Sequence, residues 1–189
     1  MESKPRCQWA GEDPLYQHYH DNEWGKPLHG DQALFEMLCL EGQQAGLSWI
    51  TVLKKRAHYR QCFHHFDINK VAAMSDEDIE QNLLDKGLIR NRLKLYAIRQ
   101  NARATLDLQQ ELGSLDDFLW SFVNHTPIIN TPEDMASLPS KTTISDAMSK
   151  ALKKRGFKFI GSTICYAFMQ ASGMVDDHVA SCYLGKNNE

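Results

Sequence analysis

The distribution of hydrophobic positions predicts a chain that is helical almost throughout. Apolar residues recur at helical spacing in segments separated by glycine, proline or polar breaks, and no segment alternates apolar and polar residues over the length of a convincing strand. The predicted helices cover residues 31–40, 48–58, 76–85, 91–108, 115–124, 145–154 and 162–172. Residues 126–141 hold three of the six prolines and are predicted to form a loop, with one helical turn at 133–137. The pattern indicates the all-α fold class.

Several helix ends carry capping signals. Asp31 is a plausible N-cap of the first predicted helix. Ser75 and Asp78 have the spacing of a capping box that opens the helix at 76–85, and Gly87 is expected to terminate that helix as its C′ residue. These signals support the boundaries that the hydrophobic pattern suggests.

Length and composition allow a folded domain with a substantial core. The chain has 189 residues, of which 42% are hydrophobic, enough for one domain or two small lobes. It has no run of 18 apolar residues, and its N-terminus lacks the apolar segment of a secretory signal. Five cysteines, an odd number without a disulfide-like framework, suggest a reducing cytoplasm. No heptad or long apolar seam indicates more than a monomer.

The charge is segregated along the chain although the net charge is only −3. Residues 86–103 contain six basic residues and residues 150–158 contain five, and neither segment contains an acid. Two solvated helix faces would explain this pattern. Together with Lys54-Lys55-Arg56, the two segments could instead form a phosphate-facing side of the protein.

The segment Glu41–Arg56 combines groups that could recognise a flat, nitrogen-rich ligand. Glu41 arrives where the apolar helix should simply continue, and two amides, a break at Gly46, an exposed-looking Leu47 and Trp49 follow it. Aromatic residues are also concentrated near the N-terminus, where the candidates for stacking on a base are Trp9, Tyr16 and Tyr19. A carboxylate beside stacked rings favours a cationic purine, while core packing is the ordinary role of such aromatic residues.

Residues 155–161 connect two predicted helices by a short turn with glycines near both ends. Backbone N–H groups at such a turn, with the N-terminus of the second helix, can bind a phosphate. This is the layout of a helix-hairpin-helix, and an ordinary αα-hairpin is the alternative. The candidate DNA-contacting residues of the turn are Arg155, Gly156, Phe157, Lys158 and Gly161.

The two ends of the chain carry candidate metal ligands. His178 and Cys182 are spaced i,i+4, so that a helical turn would place both on one face, and Cys7 and His20 lie near the other terminus. Two cysteines and two histidines make a complete tetrahedral zinc set, which is typical of a structural site. His18 could replace His20, Cys165 could replace Cys182, and the alternative is four residues with no shared ligand.

Four motifs in order resemble the 3-methyladenine DNA glycosylase I family of bacteria. They are PLYQHYHDNEWG at 14–25, FEMLCLEGQQAGLSW at 35–49, SFVNH at 121–125 and KKRGFKFIG at 153–161. The similarity extends from Cys7 to Cys182. It implies a helix-hairpin-helix glycosylase fold in a single domain, with a helical core at about 31–172 and with termini 1–30 and 173–189 joined by one structural zinc ion on Cys7, His20, His178 and Cys182.

The resemblance also implies a function in DNA base-excision repair. The enzyme would act on double-stranded DNA containing alkylated bases, flip the damaged nucleotide out and release free 3-methyladenine by hydrolysis, without lyase activity. Glu41 would be the catalytic carboxylate, Tyr16 and Trp49 would pack on the base, and Trp9 and Tyr19 are weaker candidates. Residues 155–161 would grip phosphates, and Gly46 with Leu47 could fill the gap left in the duplex.

Some positions are more difficult to assign. Asp176 or Asp177 lies where related enzymes place a catalytic aspartate, yet both adjoin the expected ligand His178, so neither is expected to be catalytic. Two other functions remain open: a catalytically silent module that binds alkylated DNA, and a zinc-dependent structural or interaction protein without a nucleic-acid role.

Overall fold

The structure, a computed structural model, describes residues 4–185. Helices dominate this part of the chain. The α-helices are α1 (Pro14–Asn22), α2 (Asp31–Gln44), α3 (Trp49–Cys62), α4 (Ile68–Ala72), α5 (Asp76–Leu83), α6 (Arg92–Leu112), α7 (Leu115–Ser121), α8 (Thr143–Lys154) and α9 (Ser162–Ala171). Single 3₁₀ turns occur at Gln8–Ala10, His64–Phe66 and Met135–Ser137. Strands β1 (Ile128–Ile129) and β2 (Val175–Asp176) form one short parallel pair.

Helix α2 forms the centre of the core. Every residue from 37 to 43 is buried, and α2 contacts α3, α6, α7 and α9. A helix that is buried all round normally has only apolar residues there, yet this stretch contains Glu41 and Gln43. The fold therefore carries a carboxylate into its interior, where an ionised group is costly unless a partner compensates it.

The hydrophobic pattern predicted the main helices correctly, with differences of a few residues at their ends. The capping box of α5 is confirmed, because Asp78 N–H donates to Ser75 Oγ over 3.1 Å and Ser75 N–H donates to Asp78 Oδ2 over 2.8 Å. The expected break at Gly46 is also present, with φ at +78°. No helix within residues 4–185 is both long enough and apolar enough to cross a membrane.

Two helix-end predictions were wrong. Gly30 is the N-cap of α2 and Asp31 is already helical; its carboxylate instead accepts the N–H groups of Leu115 and Asp116 at the start of α7. Helix α5 ends at Leu83, several residues before Gly87. Both errors arise because a side chain or a glycine can serve a neighbouring element in space instead of the helix beside it in sequence.

Helices α1 and α4 and the β1–β2 pair were not predicted. Helix α1 does have a local signal, because Asp13 accepts the N–H groups of Leu15 and Tyr16 and Pro14 occupies the first turn. The two-residue strands are too short for alternation to show. Their pairing holds residues 128–129 beside the segment that leads to the C-terminus, and Tyr183 N–H donates to the carbonyl of Pro5 near the N-terminus.

Candidate active site and metal cluster

A cavity of about 220 Å³ lies between the N-terminal segment, α2, α3 and α9. Five aromatic side chains, one carboxyl group and two amides are among the groups that line it. The lining residues are Trp9, Tyr16, Tyr19, Trp24, Glu41, Gln44, Trp49, Met135, Leu138, Ala167 and Gln170. All five residues that the sequence suggested for base binding or catalysis are therefore brought together in one cavity.

Glu41 supplies the one carboxyl group among the residues that line this cavity and is only 3% exposed. Its Oε2 atom is buried without a hydrogen-bond partner among residues 4–185. Burial raises the pKa of Glu41 from its ordinary value of 4.5 to about 8. A ligand that brings a positive charge or hydrogen-bond donors would stabilise the ionised carboxylate. The cavity is therefore suited to binding such a ligand.

The aromatic walls form a connected set of rings. The Trp9 ring lies 5.0 Å from the rings of Tyr16 and Trp24, and the Tyr19 ring lies 5.5 Å from that of Trp49. The Nε1–H group of Trp49 is buried and has no acceptor within residues 4–185. Trp49 can therefore donate a hydrogen bond to a ligand as well as pack on it.

The sequence pattern did not single out several residues of the cavity wall. Met135, Leu138, Ala167 and Gln170 come from segments that the expected site did not include, whereas Trp24 lies in the 14–25 motif that also contains Tyr16. Gln44 lay inside the Glu41–Arg56 segment, and its place three residues after Glu41 on a helix was a usable signal, because residues so spaced share one face. Met135, Leu138, Ala167 and Gln170 become neighbours of Glu41 only when α9 and the loop before α8 pack against α2.

The termini bring together a cluster of metal-binding side chains. Ligand atoms of Cys7, His20 and Cys182 lie within 4.8 Å of one another, and all three residues are buried. The His178 ring lies 5.1 Å from the His20 ring, and its Nε2 atom is buried without a hydrogen-bond partner among residues 4–185. The cluster thus contains three of the four residues expected from the sequence, and the fourth, His178, lies beside it with a buried nitrogen that has no partner among the described residues.

Carboxylates orient both histidines of this cluster. Asp21 Oδ1 lies 2.8 Å from His20 Nδ1, and Asp176 Oδ1 lies 2.7 Å from His178 Nδ1. This arrangement directs the Nε2 atom of each ring away from its carboxylate, as is usual behind zinc-binding histidines. Burial lowers the pKa of His20, which favours the neutral imidazole that a metal requires. The residues present therefore fit a zinc ion.

The structure selects between the alternative ligands and corrects one detail. His18 lies beside Asn22 on an exposed part of α1, and Cys165 is buried in α9 with its Sγ atom 3.3 Å from the Ile160 carbonyl oxygen. Residues 178–182 form turns instead of the helical turn expected from their i,i+4 spacing, and Cys182 N–H donates to the Val179 carbonyl. Long-range packing, not helical periodicity, brings these residues together.

The metal cluster and the cavity share their aromatic residues. The Trp9 ring lies 5.2 Å from the His20 ring, and the Trp24 ring lies 4.8 Å from the His178 ring. The rings of Trp9 and Trp24 thus separate the candidate ligands from the cavity interior. Any group that fixes the two histidines also fixes one wall of the cavity.

The segment 155–161 is a tight hairpin between α8 and α9. Gly156 has φ at +87°, and Phe159, although not a glycine, has φ at +55°. The hairpin packs on α2, because a Cβ added at Gly42 would lie only 3.1 Å from the Phe159 carbonyl oxygen. The hairpin therefore lies directly behind the turn of α2 that carries Glu41.

Part of the expected phosphate contact at the hairpin needs correction. The side chain of Phe157 is buried in the core, and Arg155 is paired with Glu111 over 2.9 Å. The N–H groups of residues 155–157 donate to carbonyls of α8, and that of Lys158 donates to Asn101 Oδ1. Within residues 4–185, no hydrogen bond uses the N–H groups of Phe159, Ile160 or Gly161, which leaves these for a phosphate.

The three basic side chains Lys54, Lys55 and Arg56 of α3 are all bonded to other groups of the protein. Lys54 pairs with Asp13 over 2.8 Å, Lys55 donates to the Lys86 carbonyl, and Arg56 forms two hydrogen bonds with Glu23. The triplet thus holds α3 to its neighbours and contributes little to a phosphate-binding face.

The carboxylate of Asp177 is used for hydrogen bonds within the protein core. It is fully buried and accepts hydrogen bonds from Tyr166 Oη over 2.5 Å, Asn130 Nδ2 over 2.7 Å and Gln170 Nε2 over 2.9 Å. Neither Asp177 nor Asp176 lines the cavity. The expectation that neither is catalytic agrees with this placement.

Fold and site together define a helical protein with a pocket for a flat aromatic ligand beside a buried acid. The family model of methyladenine glycosylase matches residues 9–185, and the chain belongs to this family. DNA-3-methyladenine glycosylase 1 of Escherichia coli (strain K12) is 60% identical over 177 residues, which cover 94% of this chain and 95% of that protein.

Solved structures agree with this assignment. A crystal structure of 3-methyladenine DNA glycosylase I (TAG) matches with a TM-score of 0.93 and 57% identity, covering 95% of this chain and 98% of the other. A variant of 3-methyladenine DNA glycosylase I in complex with 3-methyladenine matches with a TM-score of 0.91 and 38% identity, covering 94% and 96%.

Proposed function

We propose that this protein is a base-excision repair glycosylase that hydrolytically removes 3-methyladenine from alkylated double-stranded DNA. The observation that carries the proposal is the buried, unpaired carboxylate of Glu41 in an aromatic cavity. Membership of the methyladenine glycosylase family, and relatives named for this activity, support the same substrate.

The chemistry of the substrate matches the electrostatics of the cavity. Methylation at N3 makes the nucleobase of the nucleotide formally cationic, which weakens its glycosidic bond. A cationic base beside Glu41 would favour the ionised carboxylate that burial otherwise disfavours. A neutral, undamaged adenine brings no such compensation, so the cavity discriminates for the damaged base.

Each wall of the cavity has a role in this proposal. Tyr16 and Trp49 pack on the faces of the extruded base, with Trp9 and Tyr19 behind them, and the unpaired Trp49 Nε1–H can donate to a ring nitrogen. Extrusion of a nucleotide costs a few kcal/mol, and these contacts restore part of that free energy. Glu41 acts by binding the base and stabilising the leaving group, and water attacks the sugar.

The proposed reaction ends at the abasic site. A lyase step would require an amine that attacks the sugar, and none of the eleven residues lining the cavity is a lysine. We therefore expect no strand cleavage by the pure protein. Strand cleavage at the product site would contradict this part of the proposal.

The DNA-binding face comprises the hairpin and the turn after α2, in a helix-hairpin-helix arrangement. The N–H groups of residues 159–161 and the side chain of Lys158 would bind backbone phosphates beside the extruded nucleotide. Leu47 is 43% exposed and follows Gly46 at the tip of the turn. It is placed to fill the gap in the base stack.

We also propose one structural zinc ion bound by Cys7, His20, His178 and Cys182. The support is the clustering of the ligand atoms, the unpaired Nε2 of His178 and the carboxylates behind both histidines. Burial raises the pKa of Cys7 to about 12, so a cation is needed to hold its thiolate there. A bound zinc ion would supply structural cross-linking of the two termini, with no open position for a water molecule.

The proposed location is a reducing cytoplasm, because the sequence has an odd number of cysteines without a disulfide-like framework. The protein is proposed to act as a monomer, because its sequence has no heptad pattern or long apolar seam.

The decisive experiment measures release of free 3-methyladenine from methylated duplex DNA. The native protein is expected to release the base, and Glu41→Gln to release it much more slowly while keeping its metal content. Binding to methylated DNA without base release would instead support the catalytically silent module.

A further inference from the structure

A second group of metal-binding side chains lies away from the cavity and the termini. His58 and Cys62 are one turn apart on α3, and Asp85 lies in the turn after α5. One ligand atom of each residue lies within 4.8 Å of the other two. All three residues are half-buried.

Asp85 is oriented so that one carboxylate oxygen is directed at both partners. Its Oδ1 atom accepts the Gly87 N–H over 2.7 Å, while its Oδ2 atom lies 2.7 Å from His58 Nε2 and 3.8 Å from Cys62 Sγ. A backbone amide thus fixes the carboxylate from behind, as happens behind metal-binding carboxylates.

The position of the imidazole is also fixed. A Cβ added at Gly87 would lie 2.3 Å from Cδ2 of His58, so the ring occupies space that only a glycine leaves open. The close packing holds His58 Nε2 on the side where Asp85 and Cys62 converge. Gly87 is not the C′ residue of α5. A glycine is needed at this position because any side chain would overlap the His58 ring.

We propose that His58, Cys62 and Asp85 bind a second transition-metal ion of the zinc class, separate from the cluster at the termini. Tetrahedral bonds of about 2.0–2.3 Å place ligand atoms roughly 3.3–3.7 Å apart. The sulfur–oxygen distance is already close to this range, and the nitrogen–oxygen distance needs to lengthen by roughly half an ångström. Water completes the coordination on the exposed side.

The charge of the surroundings is compatible with a divalent cation. A thiolate and a carboxylate together neutralise its two charges. Lys54 and Lys55, which line the same cavity as His58, are engaged with Asp13 and with the Lys86 carbonyl respectively. Because the site has three protein ligands and is half-exposed, its ion is expected to exchange more readily than an ion held by four buried ligands.

A bound ion would connect the C-terminal end of α3 to the turn between α5 and α6. In the apo protein the His58–Asp85 pair and the weak Cys62–Asp85 contact join these elements. Metal binding would replace both contacts with coordinate bonds and would convert Cys62 from a thiol to a metal-bound thiolate, releasing its proton to solvent.

The test is a zinc and cobalt titration of the full-length protein, with a chromophoric chelator as competitor. The wild type is expected to hold one more equivalent than each of His58→Ala, Cys62→Ser and Asp85→Asn. His64→Ala removes an exposed histidine just beyond α3 and should keep the wild-type stoichiometry. The cobalt spectrum of the wild type should lose a thiolate charge-transfer contribution in Cys62→Ser.

A further variant distinguishes metal bound at the terminal cluster from metal bound at the proposed second site. Cys182→Ala should leave the equivalent bound by His58, Cys62 and Asp85 in place, whether or not the proposed structural zinc exists. Equal metal content in the wild type and in the three variants would overturn the proposal. If Cys62→Ser fails to fold, the half-exposed positions His58 and Asp85 decide the outcome.

Discussion

The ammonium group of Lys94 donates a 2.6 Å hydrogen bond to the main-chain carbonyl of Ala45, just beyond the C-terminal end of α2. The same nitrogen donates to the Gln43 carbonyl over 2.8 Å, and the Gln43 side chain donates to the Lys94 carbonyl over 3.0 Å. A cation at a helix C-terminus satisfies carbonyls that have no partner in the helix. Lys94 therefore fixes the end of the helix that carries Glu41 and the turn that carries Leu47.

Replacing Lys94 with methionine should make this turn less rigid and leave the residues that line the cavity in place. Loss of two charge-assisted hydrogen bonds to main-chain carbonyls, one buried and one partly buried, is expected to lower the free energy of unfolding by about 2–3 kcal/mol. Base release from methylated duplex DNA should fall more than affinity for free 3-methyladenine. Urea unfolding and parallel activity assays measure both effects, and Lys70→Met, at an exposed position of α4, is the matched control. A stability equal to that of the control would contradict the role of Lys94.

Leu47→Ala should separate DNA distortion from base recognition. Because Leu47 lies outside the cavity lining, free-base affinity should not change, whereas base release from duplex DNA should fall by about tenfold. The loss should be smaller when the damaged base is mispaired, since extrusion then costs less. Leu84→Ala removes a leucine that is 72% exposed and should have no effect. An equal loss of free-base affinity would place Leu47 in base binding instead.

Glu41→Gln should change the dependence of stability on pH. The pKa of Glu41 is about 8 in the folded protein and near its ordinary value of 4.5 when unfolded, so between these values the folded state binds more protons. Stability contributed by Glu41 is therefore lost as pH rises from about 4.5 to about 8, by at most about 5 kcal/mol. The glutamine variant lacks this loss and should be more stable than the wild type at pH 8.

The measurement is urea unfolding of both proteins between pH 4 and pH 9. Glu77→Gln removes an exposed carboxylate of α5 and serves as the control for a general change of charge. Parallel curves for the wild type and Glu41→Gln across the whole range would show that Glu41 is ionised in the free cavity. The variant should also bind 3-methyladenine less tightly, because it cannot supply a charge.

Cys182→Ala should remove the structural zinc and lower the melting temperature. A chelator should lower the melting temperature of the wild type, and it should have a much smaller effect on the variant, because binding free energy of a structural metal is also folding free energy. Cys165→Ala removes another fully buried thiol and is the control that separates metal loss from cavity formation. Full metal content in Cys182→Ala would mean that the assignment of zinc ligands is wrong.

Local sequence patterns identified much of the candidate site, because some of its residues interrupt or follow the helical spacing of apolar residues. Glu41 interrupts an apolar helical run, and helical spacing then places Gln44 on its face. Five of the six aromatic residues in the first fifty positions line the cavity together, although their number alone could not distinguish a cavity from an ordinary core. Gln170 and Met135 had no local signal, because only the packing of α9 and of a loop places them in the cavity.

The sequence by itself determined the helical fold class, the capping box at Ser75 and the family, because periodicity, local hydrogen bonds and motif order are properties of neighbouring residues. Only the tertiary structure decided that Asp31 caps α7, that residues 178–182 turn without a helix, and that the hairpin N–H groups of residues 155–158 are already used. It also brought His58 and Cys62 to Asp85. These contacts join residues that are distant in sequence. They form where packing leaves a polar group without a partner close to it in the chain, which a local sequence pattern does not show.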